Sequence, residues 1–256
     1  ASFEVSAVSY LYYADRIYQI NLALAGIAVG TISLPVLAEA FKKKNFLKIS
    51  NIQSKSLELS LMLSVPASIG LIIGSKEIVN ALFGYGSFNE ENVTLTANAL
   101  KYFGYGVPAF ALVKILSNFF FARNNTETPF YISTFIVICN ATISLTLFEK
   151  IGFIIIPIST SISTWIGVII YIYLLNKNNF LLLKRYLIGS FVKITINTLI
   201  MSLILILALN YFSDFLIYEY KFKSAYLLLI VSFVASIYLI SCYLSGILNI
   251  KNFKTN

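Results

Sequence analysis

The run from Ile20 to Leu37 constrains this chain more than any other stretch, because it contains no charged side chain. As a helix it approaches the roughly 20 residues needed to cross a bilayer. Immediately before it stands Tyr12-Tyr13-Ala14-Asp15-Arg16-Ile17-Tyr18-Gln19, which sets an acid, an arginine and an amide beside apolar sequence. An arginine at the mouth of such a span is costly to face toward lipid. It is expected to face a protein interior, a water-filled cavity or the headgroups. The alternative reading is an arginine snorkelling among interfacial tyrosines.

Apolar runs recur along the whole chain. Ala1 to Tyr13 reads as the tail of a membrane segment, with Glu4 inside it. Ile17 to Phe41 is expected to be the first complete span. Leu57 to Gly74, Val93 to Ala122, Phe130 to Phe148, Phe153 to Leu175, Leu187 to Phe212 and Ser224 to Leu248 follow. Of 256 residues, 58% are hydrophobic and 12% charged, where a soluble domain carries about 25% charged residues. The mean hydropathy is +0.82. The expected fold class is an all-α polytopic membrane protein, a helical bundle. A transmembrane β-barrel would show short alternating segments instead.

The net charge of +8 does not point to nucleic acid. The lysines sit in short loops, where the positive-inside rule expects them. Lys42 to Lys48, the turn at Arg123, Lys177 to Arg185 and Lys251 to Lys254 are basic and fall on one side. Ser75 to Glu91 and Ser213 to Lys223 are acidic or mixed and fall on the other. Seven membrane segments, following the partial one, fit that alternation. They put the C-terminus in the cytoplasm and Asp15-Arg16 in the outer half. Lys42 to Lys48 reads as an amphipathic connector on the inner face. Ile78 to Phe83 reads as a short helix on the membrane surface.

Histidine is absent, which removes the commonest general base and metal ligand. Cys139 and Cys242 lie in apolar runs and read as small hydrophobes. No phosphate loop, zinc spacing or nucleophile elbow occurs. Neither a metal, a cofactor nor an enzymatic activity is expected. Among span residues, Gly26-x-x-x-Gly30 allows close helix approach, and Pro35 is expected to kink its helix. Lys114, flanked by apolar residues, is a second candidate functional cation, with snorkelling as the alternative. The hydroxyl face Ser159, Thr160, Ser161, Ser163 and Thr164 suits packed helix contacts or a polar path.

Two blocks of residues carry a family likeness. The first is Ala1-Ser2-Phe3 through Tyr12-Tyr13-Ala14-Asp15-Arg16 followed by Leu24-x-Gly26-Ile27-Ala28-Val29-Gly30-Thr31-Ile32-x-Leu34-Pro35. The second comprises Leu82-Phe83-x-Tyr85-Gly86-x-Phe88, Thr96-x-x-Ala99-Leu100, Gly106-x-Pro108-Ala109-Phe110, Val113-Lys114-Ile115-Leu116, Phe121-Ala122-Arg123 and Thr128-Pro129. Together they resemble the lipid II flippase family, MurJ or MviN. The motifs cover Ala1 to Pro129, and the rest matches only in span count and loop charge.

The resemblance implies the second lobe of a two-lobe exporter fold over residues 1–176, its first helix partial. Residues 177–256 would be two extra C-terminal helices forming an apolar lipid-tail groove, and the first lobe is absent from this sequence. It further implies flipping of an undecaprenyl-linked peptidoglycan precursor to the outer leaflet of the bacterial inner membrane by alternating access. The partners would be that precursor, membrane lipid and the missing N-terminal lobe. The family's cavity arginine falls on Arg16 and its neighbouring aspartate on Asp15. The acid common three residues later is Gln19 here, which can hydrogen-bond but supplies no charge. Lys114 and Arg123 complete the expected cargo contacts, and Gly26, Gly30 and Pro35 are expected to let the helix bend. The resemblance implies membership of the multidrug/oligosaccharidyl-lipid/polysaccharide exporter superfamily, and the rival is an ion-coupled exporter of small molecules or another polysaccharide lipid in that superfamily. It would need a carboxylate deep in a span, whereas Glu39 and Glu58 are read at span ends.

Overall fold

The computed structural model describes residues 7–248, so Glu4, Lys251 and Lys254 lie outside the described residues. The order is α1 (Ala7–Leu22), a π segment (Ala23–Ala28), α2 (Val29–Lys42), α3 (Phe46–Ile73), α4 (Ser75–Phe83), α5 (Glu90–Phe121), α6 (Glu127–Ile151), α7 (Ile155–Lys177), α8 (Tyr186–Tyr211) and α9 (Lys223–Leu244). No strand occurs among the described residues.

The first correction to the sequence reading concerns the start of the chain. Residues 7–42 form one helical run of 36 residues, not a partial segment followed by a separate span. No Gly or Pro lies between Tyr13 and Ile17 to break it. The polar side chains there are satisfied along the helix itself, since Gln19 donates to Asp15 and Arg16 lies over Tyr12. A second correction concerns the basic connector. The turn spans only Lys43 to Asn45, with Lys44 at φ 50. The Asn45 side chain caps α3 by accepting from the Lys48 N–H. That helix then runs 28 residues through Pro66 without interruption.

Residues 127–177 are helical throughout but fold back on themselves. Gly152 adopts φ +73, a conformation that costs a side-chain-bearing residue energy. Asn140 of α6 bonds Thr160 of α7, and Ser144 meets Ser159 at 2.6 Å. These pairs are what an antiparallel hairpin places together. The hydroxyl face of α7 is therefore helix contact, with Ser161 also donating to the Tyr102 carbonyl of α5 at 2.8 Å. Two crossings thus arise from that run, and the remaining long apolar helices supply the others.

α5 is the central post. α1 and α2 run parallel to it, seen in Tyr10 on Asn92, Tyr18 on Phe103, and Gly30 on Asn118. α3 and α7 flank it. Ser68 of α3 donates to the Gly104 carbonyl at 2.7 Å. Small residues permit such approach where lipid supplies no hydrophobic drive between helices.

α8 and α9 pack on α3 rather than standing apart. The linker before α8 is stitched to α3 by both ends of the buried Gln53 amide. That side chain donates to the Phe180 carbonyl (2.9 Å) and accepts from the Leu182 N–H (2.8 Å). Further along, Tyr238 donates to the Met62 carbonyl at 2.7 Å. The outer faces of the bundle expose large aliphatic side chains such as Leu145 and Leu207, which suits contact with lipid.

Glu58 departs from expectation. It is buried within α3, where it accepts from Ser190 of α8 (2.6 Å) and pairs with Lys55 (2.9 Å). Read as the end of a span, it instead lies twelve residues into a helix that starts earlier than its apolar run.

Candidate functional site

On α1 the buried residues are Ala7, Tyr10, Ala14 and Ile17, a stripe at helical period. Arg16 stands on the opposite side and is exposed, with its guanidinium carbon 4.7 Å from the centre of the Tyr12 ring. Residues four apart share a helix face, so Tyr12 supports the guanidinium from one turn above. In the sequence Tyr12 reads as one of the interfacial tyrosines, and its spacing of four from Arg16 is the signal for this contact.

Asp15 does not neutralise Arg16. Its carboxylate accepts from Gln19 and interacts with the Tyr18 hydroxyl. Arg16 has no salt bridge among the described residues. The Tyr18 ring stacks on Phe103 (4.7 Å) and packs on Phe110 (5.2 Å) of α5. That contact fixes the rotation of α1 about its axis.

Three turns further in, the helix closes on α5. A Cβ at Gly26 would lie 3.2 Å from the Ala111 Cα and 3.5 Å from the Lys114 Cβ. A Cβ at Gly30 would lie 2.9 Å from the Asn118 amide nitrogen, which donates to the Gly30 carbonyl. Both glycines are thus contact points. Lys114 is brought beside the helix that carries Arg16, exposed and without an ion pair among the described residues. Pro35 sits inside α2 without interrupting it, and the departure from α-geometry lies upstream at Ala23–Ala28.

Arg123 is not brought to this site. It lies past the end of α5, with its guanidinium between the rings of Phe41 (3.9 Å) and Phe180 (4.1 Å). It donates to the carbonyls of Phe119 (2.5 Å) and Phe180 (2.8 Å). Burial pushes this guanidinium down to about 10, so it stays charged at neutral pH. Its partners make it a clamp joining the ends of α2 and α5 to the linker before α8.

The turn bearing Arg16 also opens onto an apolar groove of about 720 Å³. Ile17 and Ile20 of α1 line it, opposite Met62 and Pro66 of α3 and Leu205 and Leu227 of the C-terminal pair. The charged face and the groove face meet along one helix edge.

The profile of the family described as "Lipid II flippase MurJ" matches residues 1–226. The chain belongs to the MurJ family. It is 34% identical over 260 residues to the "Probable lipid II flippase MurJ" of Rickettsia prowazekii (strain Madrid E), covering 98% of this chain and 50% of that one. It is 37% identical over 169 residues to the protein of the same description from Rhizobium tropici, covering 66% and 32%. A solved structure, "Lipid II flippase MurJ, inward closed conformation", superposes with a TM-score of 0.77 at 26% identity. It covers 93% of this chain and 47% of that one. The chain therefore spans about half the length of the MurJ relatives it matches. It is a multi-pass membrane protein with the MurJ fold over that half.

Proposed function

We propose that this chain forms the cargo-contacting C-terminal half of a lipid II flippase, which moves the undecaprenyl-linked peptidoglycan precursor from the inner to the outer leaflet of the bacterial inner membrane. One observation carries the reading. A single helix edge presents Arg16, a cation with no salt bridge among the described residues, to one side and the apolar groove at Ile17 and Ile20 to the other. An amphipathic cargo has this division, with an anionic headgroup on a long hydrocarbon tail. Arginine suits a pyrophosphate because its fork offers paired, charge-assisted hydrogen bonds. Lys114 adds a second positive charge on the path inward. Arg123 acts as the inner clamp.

The groove is walled by α8 and α9 together with α1, α3 and α4. The N-terminal lobe would complete the cavity around Arg16 and rock against this half. The C-terminus is cytoplasmic in this arrangement. No bond is made or broken in such a cycle, so the chain acts as a transporter and not as an enzyme. The ion-coupled exporter reading requires an available carboxylate within a span. Asp15 lies in the first helix but accepts from Gln19, and Glu58 is buried with Lys55 and Ser190 on its two oxygens.

The test is complementation. The complete protein encoded at this locus, with Arg16→Ala alongside, is expressed in bacteria depleted of their own flippase. Growth with the parent and not with the variant is expected. Growth with both would remove Arg16 from the mechanism.

A further inference from the structure

The helix of residues 7–42 leans on α5 along its length, yet its buried residues on either side of the π segment fall into two series. Ala7, Tyr10, Ala14 and Ile17 recur at helical period, and so do Gly30, Ser33, Leu37 and Ala40. At about 100° per residue, a regular helix would turn the second series about 140° away from the first. Both nevertheless reach α5. Tyr10 donates to Asn92 at 2.8 Å, and Asn118 donates to the Gly30 carbonyl at 2.9 Å.

The π segment Ala23–Ala28 lies between the two series. A π turn takes in one residue more than an α turn, which corresponds to about 100° of rotation. It therefore removes most of the mismatch. The remainder turns α2 toward α3, where Leu37 and Ala40 join the cluster holding Ile49 and Leu57.

This has a consequence for Arg16. Its direction relative to the Gly30 contact is set by how many residues the intervening helix absorbs per turn. With the same residues in ordinary α-helix and α2 held by Asn118, Arg16 would swing by about 100°, toward the flank of α5. We propose that the π segment is the positioning element of the Arg16 site. By absorbing one surplus residue, it keeps Arg16 facing away from α5 while Gly30 stays locked to Asn118. The functional half of this proposal rests on Arg16 as headgroup ligand, whereas the geometric half does not.

The test uses the complete protein in membranes: labelling is read with Cys139 and Cys242 replaced by serine and Tyr12→Cys as a reporter on the Arg16 face, and flipping is read in proteins that keep all three residues. One variant deletes the exposed Ala23. A second inserts one alanine between Ala23 and Leu24. The deletion regularises the helix without turning α1, so labelling of Cys at position 12 by a water-soluble maleimide and flipping are both expected to persist. The insertion adds a residue the π segment cannot absorb. It is expected to suppress labelling and to lower flipping about tenfold or more, as a displaced positioning group does.

Labelling of the insertion variant at the parent rate would overturn the register claim. Suppressed labelling with unchanged flipping, while Arg16→Ala is inactive, would overturn the positioning role. So would a deletion variant as inactive as Arg16→Ala. An Arg16→Ala protein that flips normally would overturn the headgroup reading and the functional half with it, and labelling would still decide the register.

Discussion

Gln19 donates a hydrogen bond to the Asp15 carboxylate one turn earlier, and Arg16, beside that acid on the same helix, has no salt bridge among the described residues. Adjacent helical residues do not face one another, so the acid is turned aside and the cation remains available.

A charge at position 19 should change this. Gln19→Glu places a carboxylate one turn from Asp15 and three residues from Arg16, where it pairs with the arginine. The expected cost to binding of an anionic headgroup is about 1 kcal/mol, roughly fivefold in affinity. Binding of a pyrophosphate-bearing lipid to purified protein measures it. Unchanged affinity would mean that Arg16 does not hold the anion.

The glycines of the first helix should not be equivalent to those elsewhere. Gly26→Val meets the α5 backbone, with Ala111 Cα already 3.2 Å from an added Cβ, whereas Gly189 in α8 has open space around it. Gly26→Val is expected to destabilise by about 2 kcal/mol through overpacking. Gly189→Ala is expected to be neutral or to stabilise by up to about 1 kcal/mol, the helix-propensity difference. Thermal unfolding in detergent compares the two.

Breaking the buried Glu58 pair should be costly. Glu58→Ala strands Lys55 and the Ser190 hydroxyl at the α3–α8 contact. A loss of about 3 kcal/mol is expected. Replacing Lys55 and Glu58 together by methionine should recover much of it, because no unpaired charge remains. Unfolding midpoints of the single and double variants decide the matter.

The groove should discriminate by tail length. Ala235 lines it from α9, and Ala235→Trp fills space without touching the Arg16 face. Transport of a long-tailed cargo is expected to fall while a short-tailed analogue moves normally. Equal loss for both would place the tail elsewhere.

Much of this architecture was legible in the sequence because membrane spans announce themselves. Charge-free runs set the helices, and the loop lysines set their alternation. Boundaries failed where polar side chains were satisfied locally. Asp15, Arg16 and Gln19 looked like an interruption, yet they bond along one helix. Glu58 looked terminal because the apolar run starts at Leu57, whereas Asn45 caps the helix three turns earlier. The positions of Arg16, Lys114 and the two glycines were readable as motifs; that the glycines and Lys114 meet at the α5 seam while Arg16 faces away from it followed from the fold. The π segment had no compositional signature, since Ala23 to Ala28 is good helix-forming sequence apart from Gly26. It became visible only through the phase of the buried residues on either side. Arg123 was legible as a cation but not as a clamp, because Phe41 and Phe180 are distant in sequence.

The central claim, that Arg16 grips the pyrophosphate of a lipid cargo, is tested most directly by comparing two lipids on one protein. The complete protein is reconstituted in vesicles, and parent and Arg16→Ala are assayed for binding a polyprenyl pyrophosphate and a neutral polyprenol of equal tail length. The account predicts that the variant loses about tenfold or more for the pyrophosphate, the worth of a charge-assisted bidentate contact, and nothing for the neutral lipid. Equal affinity of parent and variant for the pyrophosphate would contradict it.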